Sequence, residues 1–275
     1  MQQVHAPAWR ANWINGWLAA IGVIVICEDV QLSWTTDPTP TPIFHLADNI
    51  RLVEHIASRI PDPKLVTRSA AQHVAKQNAT EDEYERGAAA ARENGDWLWS
   101  ALFTDLGPKN SRDDRSTCFD KSRFYPGMPG TAPISKRLSD LAKSHWGDAA
   151  AIERSMAGTL PRSQGNGLAF DPHRLLDPAN PLTDVYIDPV IEAVAFHALI
   201  ILPVRGNGRR TTTRGETGRP PTFRWRTWQQ PLDLAGIDAI LDQRASEPDR
   251  SFKLVDYRKK STSEATSAYF SEFDT

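Results

Sequence analysis

Two almost unbroken apolar runs, Trp17–Cys27 and Val190–Val204, set the terms for any fold this chain can adopt. Each falls short of the roughly 20 residues that a membrane-spanning helix requires, and Glu192 and His197 interrupt the second. Both belong in a protein core. The first begins with small helix formers and ends in β-branched residues, which predicts a short helix, closely packed through Ala19, Ala20 and Gly22, passing into an extended piece. The second follows Ile187-Asp188-Pro189, where Asp188 reads as an N-cap and Pro189 as the first helical residue. A helix should run from there to Leu202 and stop at Pro203.

The remaining pattern fills in around these runs. Val30–Trp34 alternates as a half-buried strand, and Pro38, Pro40 and Pro42 end it because proline cannot donate to a ladder. Helical spacing recurs over Ala47–Ile60, Tyr84–Arg92 (after a capping box at Thr80–Glu83), Ile134–Trp146, Asp148–Leu160 and Leu232–Arg244. Phe223–Trp228 and Phe252–Tyr257 read as strands, and the serine- and threonine-rich tail reads as frayed. Each apolar run leads to a strand ending in tryptophan, at Trp34 and at Trp228, which suggests that both join one mixed sheet. The expected fold is α+β, mainly helical with a small mixed or antiparallel sheet. It divides into an N-terminal part, residues 1–106, and a second part, 107–275, or forms one continuous domain.

At 275 residues the chain can bury a core without metal or disulfide support. Its two cysteines, Cys27 and Cys118, show neither zinc-ligand spacing nor a disulfide framework, which points to the reducing cytoplasm. Residues 1–13 lack a basic front followed by an apolar stretch, so no signal peptide and no membrane partner is expected.

Charge is distributed far less evenly. Between Arg205 and Arg226 lie seven arginines (Arg205, Arg209, Arg210, Arg214, Arg219, Arg224, Arg226) against one acid, Glu216, a local +6 in a chain of net charge -2 whose other residues sum to -8. The segment holds four glycines and no lysine. Guanidinium groups fork onto phosphate oxygens and stack on flat rings, so arginine without lysine fits a nucleic-acid surface. Glycine permits positive φ and close approach, and Arg205–Arg210 could thereby bring main-chain N–H groups and guanidinium groups to one phosphate. Arg224 and Arg226 share one face of the expected strand and would extend the charge in a line. Lys109, Arg112, Arg115, Lys121 and Arg123 form a second, weaker basic zone in the long irregular stretch 107–130. The alternative is a solvated loop gripped by an acidic partner protein.

Catalytic patterns are sparse. Seven histidines are scattered, with no His-Glu-x-x-His, no Cys-x-x-Cys and no Gly-x-Ser-x-Gly elbow. Asp171, His173 and Asp188 could surround a metal in a nuclease, or Asp171 could simply cap a local turn. The chain reads as non-catalytic and without a cofactor. Trp9, Trp13 and Trp17 recur every four residues, a stripe that could stack bases, anchor a partner or fill the core. The adjoining Ala19, Ala20 and Ile21 favour the core.

Two blocks carry a resemblance. Asn12–Gly22 followed by Leu32-Ser-Trp34, and Tyr186–Glu192 through Leu202–Gly206 with Phe223-Arg-Trp225, resemble CRISPR-associated proteins of type I-G systems, formerly called I-U. The likeness covers about a quarter of the chain as short blocks, by pattern rather than alignment. Within that group the chain is similar to a compact large-subunit-like component of the RNA-guided surveillance complex, or to the family described as an extension of the helicase-nuclease. It is short for a full large subunit, and it lacks the helicase and His-Asp nuclease motifs of the helicase-nuclease itself. The resemblance implies a non-catalytic role beside guide RNA or target DNA, with other CRISPR-associated proteins as partners. A large-subunit-like component would help inspect duplex DNA next to the target and hold the displaced strand.

Overall fold

The computed structural model describes residues 1–60, 81–95, 97–104, 106–107, 120–121, 124, 140–141, 143, 147–165, 167–168, 170, 186–219, 222–243, 249–258 and 267–273. In chain order its helices are α1 (Ile14–Ile26), α2 (Leu52–Arg59), α3 (Glu81–Asn94), α4 (Trp97–Leu102), α5 (Ala149–Ala157), α6 (Pro189–His197), which continues as a 3-10 turn over Ala198–Ile201, and α7 (Leu234–Leu241). The strands begin with β1 (Gln2–His5), β2 (Gln31–Trp34), β3 (Pro42–Leu46), β4 (Phe103–Thr104), β5 (Asp120–Lys121), β6 (Ser163–Gln164) and β7 (Tyr186–Ile187). They continue with β8 (Val204–Gly206), β9 (Thr211–Thr213), β10 (Glu216–Thr217), β11 (Thr222–Arg226), β12 (Ser251–Arg258) and β13 (Ser267–Phe273).

Seven helices share the described residues with several small antiparallel sheets, so the fold is a mixed α+β one and not mainly helical as the sequence pattern suggests. Two compact units are each assembled from separate stretches of the chain. The first comprises Met1–Ile60, Leu141–Ala198 and Thr222–Thr275; the second comprises Pro61–Asp140 and Leu199–Pro221. Among the described residues no helix is long and apolar enough to cross a membrane.

The first unit is built around α1 and α6. Asn15, Gly16, Trp17, Leu18, Ile21, Val23 and Ile24 of α1 are all buried, and so is every residue of α6. The β-branched end of α1 stays helical through Ile26, against the extended piece expected there. A valine or isoleucine costs less than about 0.7 kcal/mol against alanine in a helix, whereas burying its side chain returns about 1.5–3 kcal/mol. Burial wins. Gly22 permits the contact between the two helices, since a Cβ on it would lie 2.0 Å from the Val194 carbonyl oxygen.

Asp188 caps α6 as its sequence implies, accepting from the Val190 and Ile191 N–H groups at 2.9 and 3.1 Å with Pro189 in the first turn. Its other oxygen takes the Ser155 hydroxyl at 2.7 Å, and Ser155 in turn accepts the Trp9 indole N–H at 3.1 Å. Three more indoles donate inward: Trp17 to the Arg226 carbonyl, Trp225 to that of Ala11 and Trp228 to that of Leu32. Trp9, Trp17, Trp34, Trp225 and Trp228 are buried in the core of this unit, and because Trp9 and Trp13 precede α1 the helical stripe expected of Trp9, Trp13 and Trp17 does not form.

Three strands in the order β1-β3-β2 form one antiparallel sheet, and β11-β12-β13 run antiparallel in another. The strands ending at Trp34 and near Trp228 fall in different sheets, although β2 meets the segment after β11, exchanging main-chain hydrogen bonds with Leu232 and donating the Trp34 N–H to the Trp228 carbonyl at 2.9 Å. Pro42 opens β3 opposite Trp34, a position where a missing N–H costs nothing, so the proline run turns the chain back instead of ending the sheet. The tail also departs from expectation. Over Ser267–Phe273 it pairs with β12 along seven residues, with Tyr269, Phe270 and Phe273 supplying strand-forming aromatics.

Burial sets the chemistry of two side chains here. It pushes the Cys27 thiol up to about 12, with Asp29 adding to the rise and Arg59 opposing it. It holds the His197 imidazole down at about 4, against an ordinary 6.5. The folded chain keeps His197 neutral. Below pH 6.5 the unfolded chain gains a proton that the folded chain refuses until about pH 4. Stability that is complete above the upper limit is lost across that window, at up to about 1.4 kcal/mol per pH unit. Urea midpoints should therefore fall more steeply with acid for the native chain than for His197→Gln; equal slopes would contradict this origin.

Candidate nucleic-acid interface

Within the second unit, the arginine segment folds as successive tight turns. β8 and β9 pair antiparallel, with Val204 opposite Thr213, Arg205 opposite Thr212 and Gly206 opposite Thr211. Asn207–Arg210 closes the hairpin. Asn207 Oδ1 accepts from the Arg209 and Arg210 N–H groups, each at 3.0 Å, and its own N–H donates to the Arg210 carbonyl at 3.2 Å. Gly208 has φ 77°, and its N–H donates to the Leu106 carbonyl at 2.9 Å. Gly206 lies so near Leu106 that a Cβ on it would meet the same oxygen at 2.1 Å. Asparagine and glycine thereby hold the loop in shape.

This geometry corrects the expected phosphate cradle. The N–H groups of Gly208, Arg209 and Arg210 are already occupied, by Leu106 and Asn207, so the hairpin offers guanidinium groups and not a nest of main-chain donors. Arg205, Arg209, Arg210 and Arg219 are exposed. Glu216, the acid of the segment, accepts the Thr213 N–H at 2.7 Å.

The seven arginines divide by burial. Arg214 is 8% exposed, and its guanidinium donates to the Ile201 carbonyl at 3.2 Å, at the end of the 3-10 turn. Arg226, in the first unit, is 7% exposed; it donates to the Ile240 carbonyl at 2.6 Å in the last turn of α7 and has Asp249 at 3.8 Å. Cations at helix C-termini meet carbonyls that lack helical partners. Arg214 and Arg226 are thus framework residues. A line of charge along β11 accordingly reaches Arg224 and goes no further, because the second position is covered. Arg224 is exposed, and strand register sets it opposite Lys253, a cation that charge counting within the arginine segment passes over.

Of the second basic zone, Lys121 lies in β5 opposite Phe103, whereas Lys109, Arg112, Arg115 and Arg123 lie outside the described residues. So do Asp171 and His173 of the alternative metal reading, whose third member, Asp188, is engaged as the α6 cap. The chain matches no protein-family model, no curated protein and no solved structure.

Proposed function

We propose that this chain is a non-catalytic protein that binds the sugar-phosphate backbone of nucleic acid, chiefly through Arg205, Arg209, Arg210 and Arg219. The observation that carries this reading is the hairpin at Asn207–Arg210, whose main chain is held by Asn207 and Leu106 while its two arginine side chains are exposed. Ordering a long side chain on a partner costs entropy, and a loop already fixed in the free protein confines that cost to the side chains. Backbone contacts of this type position a duplex or single strand without reading its bases.

The sequence blocks that resemble type I-G CRISPR-associated proteins supply the context for the proposal. In that setting the nucleic acid is guide RNA or target DNA, the partners are other CRISPR-associated proteins, and the protein works in the cytoplasm as part of an antiviral surveillance complex. The adaptor alternative, docking through tryptophans, is disfavoured at Trp9, Trp17, Trp225 and Trp228, whose indoles all donate inside the first unit. Purification of the tagged chain, with and without nuclease treatment, separates the two. The proposal expects bound RNA or DNA before treatment and loss of associated proteins after it. Protein partners retained through nuclease digestion, with no nucleic acid beforehand, would favour the adaptor.

A further inference from the structure

The first unit contains a polar cavity of about 80 Å³ beside the first turn of α1. A cavity of that size has room for several waters, which one tetrahedral oxyanion can displace. Trp13, the N-cap of α1, does not cap the helix through its side chain, and the Gly16 N–H of the first turn is taken up by Asn15. Asn15 is 5% exposed, and its Oδ1 accepts the Gly16 N–H at 2.9 Å. That bond fixes which end of the amide is which. The Asn15 Nδ2 group is therefore the end left for the cavity, and among the described residues nothing accepts from it.

Two exposed cations, Arg10 and Arg162, complete the lining, and one end of the Arg162 guanidinium donates to the Tyr186 carbonyl at 3.5 Å. Gly16 keeps the first of them close, because a Cβ there would lie 2.5 Å from the Arg10 carbonyl oxygen. The acid at the cavity, Asp188, is 8% exposed and has its oxygens engaged by Val190, Ile191 and Ser155. Two arginines and a buried amide donor together outweigh one saturated carboxylate.

We propose that this cavity binds a terminal phosphate group, one carrying at most a single ester bond, held by the Asn15 side-chain amide and the guanidinium groups of Arg10 and Arg162. The group can be free inorganic phosphate or the phosphorylated end of a nucleic-acid strand. The cavity uses none of the hairpin arginines, so this proposal stands apart from the preceding one.

Calorimetric titration of the full chain with inorganic phosphate, at ionic strength held constant with chloride, tests it. Saturable binding is expected, weakened at least about tenfold by Arg10→Ala with Arg162→Ala. Both arginines are exposed, so the unliganded melting temperature of that variant should stay near that of the native chain. Asn15→Asp keeps an acceptor for Gly16 and replaces the amide donor with negative charge; it should abolish binding. Oligonucleotides carrying a 5′-phosphate or a 5′-hydroxyl identify the source. Preference for the phosphate, lost in the double arginine variant, assigns the strand end, and phosphate binding without such preference assigns the free ion. Absence of saturable phosphate binding, or equal binding by the native chain and both variants, would overturn the proposal.

Discussion

Gly22→Val is expected to abolish cooperative folding of the first unit, and Gly22→Ala to destabilise it by about 3 kcal/mol. Helix propensity alone predicts the reverse sign for alanine, a gain of about 0.8–1.0 kcal/mol over glycine. The contact decides otherwise. An added Cβ would sit 2.0 Å from the Val194 carbonyl oxygen and 2.8 Å from its carbonyl carbon, main-chain atoms of α6 that no rotamer change can move. The helices must separate, and the side chains between them, Leu18 and Ile21 of α1 among the wholly buried ones, lose their packing. Against a typical total of 5–15 kcal/mol, valine exceeds what the unit can absorb. Urea unfolding of the two variants checks this, with Gly147→Ala as control, where the nearest atom to a Cβ is an Ile60 methyl at 4.0 Å. A stabilised Gly22→Ala would contradict the close packing of α1 on α6.

The second large effect is functional. Replacing Arg209 and Arg210 together with alanine should weaken nucleic-acid binding by about 10- to 30-fold at physiological salt, since each neutralised phosphate releases counterions. The two side chains leave a loop whose hydrogen bonds come from Asn207 and from main-chain groups, none of which the substitution removes. Folding should be unaffected. The loss should be alike for oligonucleotides of different sequence, because phosphate contacts carry no base information. Fluorescence anisotropy with several labelled strands measures it, and a loss confined to one sequence would indicate base readout instead. Arg214→Ala forms the contrast. It removes a buried donor from the Ile201 carbonyl and should lower the melting temperature instead of acting first on affinity.

Local rules were legible where the chemistry is local. Asp188 and Pro189 announce the start of α6, Asp148 marks the start of α5, and alternation marks β11, all without knowledge of the surroundings. What the pattern misreads depends on distant residues. The end of α1 is rich in β-branched residues and stays helical because α6 covers it, and β2 is placed by pairing with β3, a proline-opened segment that local propensity does not nominate. The arginine segment shows the same division. Its charge and its glycines are visible in the sequence, but one residue type repeated seven times gives no sign that Arg214 and Arg226 reach the ends of helices while Arg209 and Arg210 remain outside. Nor does a spacing rule reveal that Asn207 takes up the N–H groups that a phosphate nest would need.

The claim at the centre of this account is that exposed hairpin arginines neutralise phosphates, and the dependence of affinity on salt tests it most directly. If two to four phosphates are neutralised, the logarithm of affinity should fall with the logarithm of salt concentration at a slope of about -2 to -4, and the Arg209→Ala, Arg210→Ala variant should be shallower by about 1.5. An affinity independent of salt, or one slope shared by both proteins, would contradict it.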